Sequence, residues 1–126
     1  MTSVGNRLTA MAEQLRAMIT TVAARFGDDG EITMDRQVDC DPGRPGRIVR
    51  WEYNIRVSAR PGAAELLIGT VIPEMRASGW NVTNRDSPRE FAVQFSHRGS
   101  YFGVHIARVG GRHVIVGGST PCVAVR

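Results

Sequence analysis

A chain of 126 residues and 13.8 kDa is the length of one domain, and such a chain buries roughly two-thirds of its unfolded surface without needing metal or dense cross-linking. Hydrophobic residues make up 42%, which excludes a disordered tail or a collagen-like repeat, and no apolar run approaches the ~18 residues of a membrane-spanning helix. All 16 basic residues are Arg, against 12 acids, for a net charge of +4; the absence of Lys, with abundant Gly, Ala and Val, reads as codon bias in a GC-rich genome.

The charge is uneven along the chain. Residues 1–46 hold 5 Arg and 7 acids, and residues 47–126 hold 11 Arg and 5 acids, so the balance changes from −2 to +6. No acid follows Glu90, while Arg98, Arg108, Arg112 and Arg126 do. The asymmetry is compatible with an anionic partner, and the plainer reading is a solvated face.

In chain order, residues 6–26 read as an amphipathic helix. Leu8, Met11, Leu15, Met18, Ile19, Val22 and Phe26 fall on one apolar stripe at helical spacing. Gly27 is expected to stop it in a left-handed conformation, and Asp28-Asp29-Gly30 to turn the chain. Residues 31–40 alternate as a strand with Ile32, Met34, Val38 and Cys40 on one parity. Asp41-Pro42-Gly43-Arg44-Pro45-Gly46 is a loop by its chemistry. Residues 48–57 give the clearest strand, with Val49, Trp51, Tyr53, Ile55 and Val57 alternating against Arg50, Glu52, Asn54 and Arg56. Strict alternation of this kind means one wet face, hence an antiparallel sheet covered on one side, with Trp51 expected in the core.

Residues 62–78 read as a second helix through Ala64, Leu67, Ile68, Val71, Ile72 and Met75. Pro73 removes a backbone donor inside that pattern, so a kink is expected near Gly69–Thr70. Gly79 ends the helix, Trp80 to Thr83 form a strand, and Asp86-Ser87-Pro88-Arg89 is a turn. The last third is a meander. A two-residue turn at Arg98-Gly99 sets Phe95 opposite Phe102, Val93 opposite Val104 and Phe91 opposite Ile106, all on one face, so turn length and side-chain parity agree. Gly110-Gly111 makes the next hairpin, with a two- or three-residue loop, returning through Val114, Ile115 and Val116. The expectation is a single α+β domain over residues 1–126: two helices, the first at 6–26, packed on one face of an antiparallel sheet, in the order α-β-β-α-β-β-β-β, with the strands and second helix spanning 31–120.

Cys40 follows the first strand and Cys122 the last. They are not a C-x-x-C pair, so neither a thioredoxin-like motif nor half a zinc site is indicated. If their strands are neighbours the sulfurs can meet as a disulfide; the alternative is two buried free thiols. A disulfide would imply an oxidising compartment.

The first helix, the strand ending in Cys40, the second helix, Gly79-Trp80-Asn81-Val82-Thr83 and the closing Ser119-Thr120-Pro121-Cys122 resemble small actinobacterial cell-envelope lipoprotein domains of the mycobacterial LppA-like type. The resemblance spans residues 6–124. It implies a two-helix, antiparallel-sheet domain closed by a terminal Cys and an envelope location, and it carries no catalytic residues to transfer. The chain opens Met1-Thr2-Ser3 with no apolar leader and no lipid-attachment Cys. An extracytoplasmic location is therefore expected if a signal sequence has been removed, and a cytoplasmic one otherwise.

Chemistry is sparse. His97, His105 and His113 are spaced by eight, but His97 has core parity and His105 outward parity, so they do not converge on a metal. Nothing near Cys122 would activate a thiolate, and no P-loop, G-x-S-x-G or G-x-G-x-x-G occurs. The expectation is no enzyme, no cofactor and no metal. Arg98-Gly99-Ser100-Tyr101-Phe102-Gly103-Val104 brushes against an RNA-recognition strand, but the hairpin register turns Phe102 inward and leaves Tyr101 alone outside, which argues against nucleic acid. The wet face is expected to carry Arg50, Glu52, Asn54, Arg56, Thr83, Gln94, Tyr101 and His105. Of these, Arg50, Arg56, Tyr101 and His105 are the candidate binding residues, for a protein or an anionic envelope partner. The competing reading is a cytosolic module that binds a protein, of toxin-neutralising type, or nucleic acid.

Overall fold

The computed structural model describes residues 4–109 and 112–124. Seven antiparallel strands form one sheet: β1 (Glu31–Asp39), β2 (Ile48–Ser58), β3 (Asn81–Asn84), β4 (Glu90–His97), β5 (Ser100–Ala107), β6 (His113–Ser119) and β7 (Val123–Ala124). Their spatial order is β1-β2-β6-β5-β4-β3, with β7 also paired to β2. Both helical elements cover the same face. The expected α+β order is present, with β7 as an added short strand.

Helix α1 (Val4–Phe26) buries Leu8, Ala12, Leu15, Ile19, Val22, Ala23 and Phe26. Leu15, Ile19, Val22, Ala23 and Phe26 pack with Tyr53, Ile55 and Val57 of β2 and Val114 and Val116 of β6, and the second helical rod adds Leu67, Val71 and Met75 to the same core, while Leu8 packs separately with Val49 and Val123. The helix ends at Gly27 for a reason the sequence reading misjudged. Gly27 is not left-handed; a Cβ there would overlap the Ser58 carbonyl oxygen, so glycine is required by the close approach of the helix end to β2. Beside it, Asp29 Oδ1 accepts the Ser58 N–H at 2.8 Å.

Hydrogen bonds from the Ser58 side chain and then its backbone N–H hold the Asp29 carboxyl below its ordinary value. A depressed folded-state pKa adds stability that is complete above the unfolded value and lost as pH falls through the folded one. In acid below the ordinary carboxylate range, the melting temperature of the wild type is therefore expected to fall more steeply than that of Asp29→Asn. Parallel slopes in a pH series of thermal melts would contradict this.

The second rod runs from α2 (Ala63–Leu66) through a π-helical stretch (Leu67–Val71) into α3 (Ile72–Ala77). The π turn occupies the site where Pro73 was expected to kink the helix, and it accommodates the missing N–H by widening the turn. Gly79, at φ 91°, closes the rod. Trp80 N–H donates to the Met75 carbonyl at 3.0 Å and Gly79 N–H to that of Arg76 at 3.0 Å, the two bonds of a Schellman cap.

The β4–β5 hairpin has the expected register: Phe95↔Phe102, Val93↔Val104 and Phe91↔Ile106. Its turn residues Arg98 and Gly99 have φ of 50° and 84°, the two positive values a type I′ turn demands. The Gly110-Gly111 turn lies outside the described residues.

Two departures concern β1 and its neighbour. A register shift between Ile32 and Met34 sets Ile32 opposite Ile55 but Met34 opposite Asn54. This bulge splits the expected apolar parity: Ile32 faces the helices, while Met34 and Val38 join the far face. Trp51 is half-buried rather than central, because α1 reaches β1 through polar contacts there. Arg16 Nε donates to Asp35 Oδ1 at 2.9 Å, the Trp51 indole N–H donates to the same oxygen, and the Arg16 guanidinium lies 5.0 Å over the indole.

Between β6 and β7 the ladder is kept by a side chain. Thr120 N–H donates to the Trp51 carbonyl at 3.0 Å, and Thr120 Oγ1 accepts the Trp51 N–H at 2.9 Å. Pro121, which has no N–H to give, can follow. The Cys40–Cys122 disulfide then joins the strands flanking β2, with Cα atoms 6.3 Å apart, inside the range such a bond requires.

Candidate functional site

Residues directly opposite in antiparallel strands point to the same face, so the pairings map the uncovered side of the sheet. One row runs Asn54, Gly117, Gly103, Gln94 and Thr83. On one side of it lie Glu52, Ser119, Tyr101 and Ser96, and on the other Arg56, Ile115, His105 and Ala92. All eight residues expected on the wet face are there, with Arg50 at the same parity of β2 as Glu52, Asn54 and Arg56.

The centre of the face is low because it is built of glycine. A Cβ at Gly117 would overlap the Asn54 side-chain amide, and one at Gly103 would come to 2.9 Å from His105 Nε2. The Asn54 and His105 side chains therefore lie down across β6 and β5. What remains open is a dimple of about 90 Å³ among Arg85, Gln94, Tyr101, His105 and the two glycines. That is far below the ~300–1,000 Å³ of a small-molecule pocket. Tyr101 and Ile115 stand exposed around it, at 41% and 42%.

The basic side chains of this face are answered within the chain. Arg50 Nη2 bonds Glu52 Oε2 at 2.7 Å, Arg56 Nη2 bonds Glu31 Oε1 at 2.9 Å, and His105 Nδ1 lies 3.1 Å from Glu90 Oε1. Arg85 Nε donates to Gln94 Oε1 at 3.1 Å. Three of the four candidate binding residues thus sit beside carboxylates: Glu52 shares the strand and face of Arg50, while Glu31 and Glu90 reach Arg56 and His105 from neighbouring strands, which the sequence did not reveal. Cys40 and Cys122 are near this face without chemistry of their own: both are in the disulfide, and Arg50 Nη1 lies 3.7 Å from Cys40 Sγ.

The histidines separate as expected. His97 lies on the helix side against Trp80, with ring centroids 5.4 Å apart, while His105 pairs with Glu90 and His113 sits opposite Ser58 at the end of β2. No group of three metal-ligating side chains converges among the described residues, and no helix there is long and apolar enough to cross a membrane.

A concavity on the helix side was not read from the sequence. It measures about 440 Å³ and lies between the N-terminal half of α1 and the Arg98-Gly99 turn. Its walls come from four separated segments. The signal available was Met11 and Met18 in the α1 stripe, which prove half-buried where Leu15 and Ile19 beside them are sealed. No protein-family model matches this chain, and no curated protein or solved structure matches it either.

Proposed function

We propose that this is a non-catalytic interaction domain of the cell envelope or extracytoplasmic space, and that it docks a protein partner through the uncovered face of its sheet. The observation that carries this reading is a continuous sheet face with no helix over it, centred on Gly103 and Gly117 and ringed by Tyr101, Ile115, Arg50 and Arg56. Tyr and Arg are the residues on which protein interfaces concentrate their binding energy. The dimple is too small to hold a cofactor-sized ligand, and the self-paired charges offer a mixed surface rather than a polyanion-binding one. The disulfide supports an oxidising compartment, and the resemblance to envelope lipoprotein domains agrees with it.

A photo-crosslinking amino acid placed at Tyr101, in cells producing the protein, tests this. The expected result is one discrete protein adduct from position 101 and none from position 68, where exposed Ile68 lies on the second rod away from the sheet face. Equal labelling from both positions, or no adduct, would contradict the reading. So would submicromolar nucleic-acid binding that weakens steeply with salt, which would favour the alternative module.

A further inference from the structure

The trough between α1 and the β4–β5 hairpin is built differently from the sheet face. Its sides are apolar: Met11, Leu15 and Met18 from α1, Trp80 from the Schellman cap, and Pro121. Trp80 is held by edge contact with Phe102 at 5.1 Å and by its backbone bond to Met75, so that wall is fixed by the core. The volume of about 440 Å³ falls in the range of ligand sites.

The mouth is cationic and unanswered. Arg98 is exposed at the rim and, among the described residues, forms no ion pair and no side-chain hydrogen bond, a state it shares with other arginines such as Arg36, Arg76 and Arg112 that do not line the trough. The hairpin supplying this rim belongs to the acid-free end of the chain after Glu90, and α1 presents Gln14 to the trough rather than a carboxylate. His97, beside Arg98, likewise has no hydrogen-bond partner for its ring nitrogens among the described residues.

Arg98 is also in an unexpected position. It is the one non-glycine residue with positive φ among those described, at a turn position where Asn or Gly is the low-strain choice. Its neighbour Gly99 rests on Pro121, where a Cβ would meet the proline ring at 3.1 Å. The turn thereby lies against the residue preceding Cys122, with Arg98 among the residues lining the trough.

We propose that this trough binds a small amphipathic carboxylate, a short acyl chain or single aromatic ring bearing one anionic head, with the head on Arg98 and His97 and the apolar body along Met11, Met18 and Trp80. A charged head is what Arg98 lacks, and a thin apolar body is what the methionine-lined walls can adjust to. The inference does not depend on the sheet face.

The test is a titration of isotope-labelled protein with sodium decanoate below its micelle-forming concentration, with 1-decanol in parallel. Saturable shifts are expected at the Trp80 indole and the amides of residues 97–100, and not at the Trp51 indole, which does not line the trough. Arg98→Asn should weaken decanoate binding about tenfold, the loss of one charge-assisted contact, while leaving the melting temperature unchanged or raised, because Asn suits the turn. Decanol should bind the wild type more weakly than decanoate and be indifferent to Arg98→Asn. Absence of a saturable shift, equal decanoate affinity in wild type and Arg98→Asn, or equal shifts at both indoles would overturn the proposal.

Discussion

Replacing Cys40 and Cys122 together by Ala is expected to destabilise the protein by roughly 4–5 kcal/mol, seen as a lower urea midpoint. The bond closes a sequence separation of 82 residues, and in the chain-entropy account a cross-link of that span removes about that much disorder from the unfolded state. Set against the ~5–15 kcal/mol that holds a domain of this size together, the loss is a large share of the whole. The unfolded chain should also expand, so the urea dependence should steepen in the Ala–Ala variant as well as shift. Reduction of the wild type should reproduce both changes. Unfolding free energies, extrapolated to zero urea, that agree within about 1 kcal/mol between oxidised and reduced protein would show that the bond contributes no net constraint.

Phe102→Ala is expected to cost roughly 3–5 kcal/mol, the range for emptying a sealed aromatic site. Phe102 is 0% exposed and packs its ring on Phe95 at 5.0 Å and on Trp80 at 5.1 Å. Truncation would leave a void between the meander and the second rod and remove the support of Trp80, so its fluorescence should change as well. Trp51→Ala should cost less, roughly 1–2 kcal/mol, because the half-buried indole exchanges part of its packing for the Asp35 hydrogen bond and the Arg16 contact. Denaturant melts of the two variants check the order; an equal or reversed ranking would place the centre of the core at β1–β2.

Where two independent signals coincide, the chain can be read directly. At the β4–β5 hairpin a two-residue turn and a period of two agree, and the register follows residue by residue. The wet face was legible for the same reason, because the alternation in β2 and β5 is unbroken. Reading fails where a single residue changes the count. Thr33 inserts a bulge and sends Met34 and Val38 to the far face, which alternation alone cannot foresee. Gly27 looks like a cap by type and is instead a contact, visible only once Ser58 is placed against it. The trough was out of reach because Met11, Trp80, Arg98 and Pro121 have no spacing that links them. The partnered state of Arg56 and His105 depends on cross-strand neighbours, and charge counting along the chain does not contain it.

The strand order has a consequence for how the molecule assembles. The β1–β2 hairpin and the β3-β4-β5-β6 meander each join strands adjacent in the chain, so each can form from local contacts. The β2–β6 ladder, extended by the short β2–β7 pairing, joins the two, pairing residues from opposite halves such as Ile55 and Val116. Closing so long a loop costs entropy before any contact repays it. This joint is therefore expected to form late in folding, along the line between the two pieces. Helix α1 lies across that line, touching both β2 and β6, and Cys40–Cys122 bolts the two pieces at one end of it.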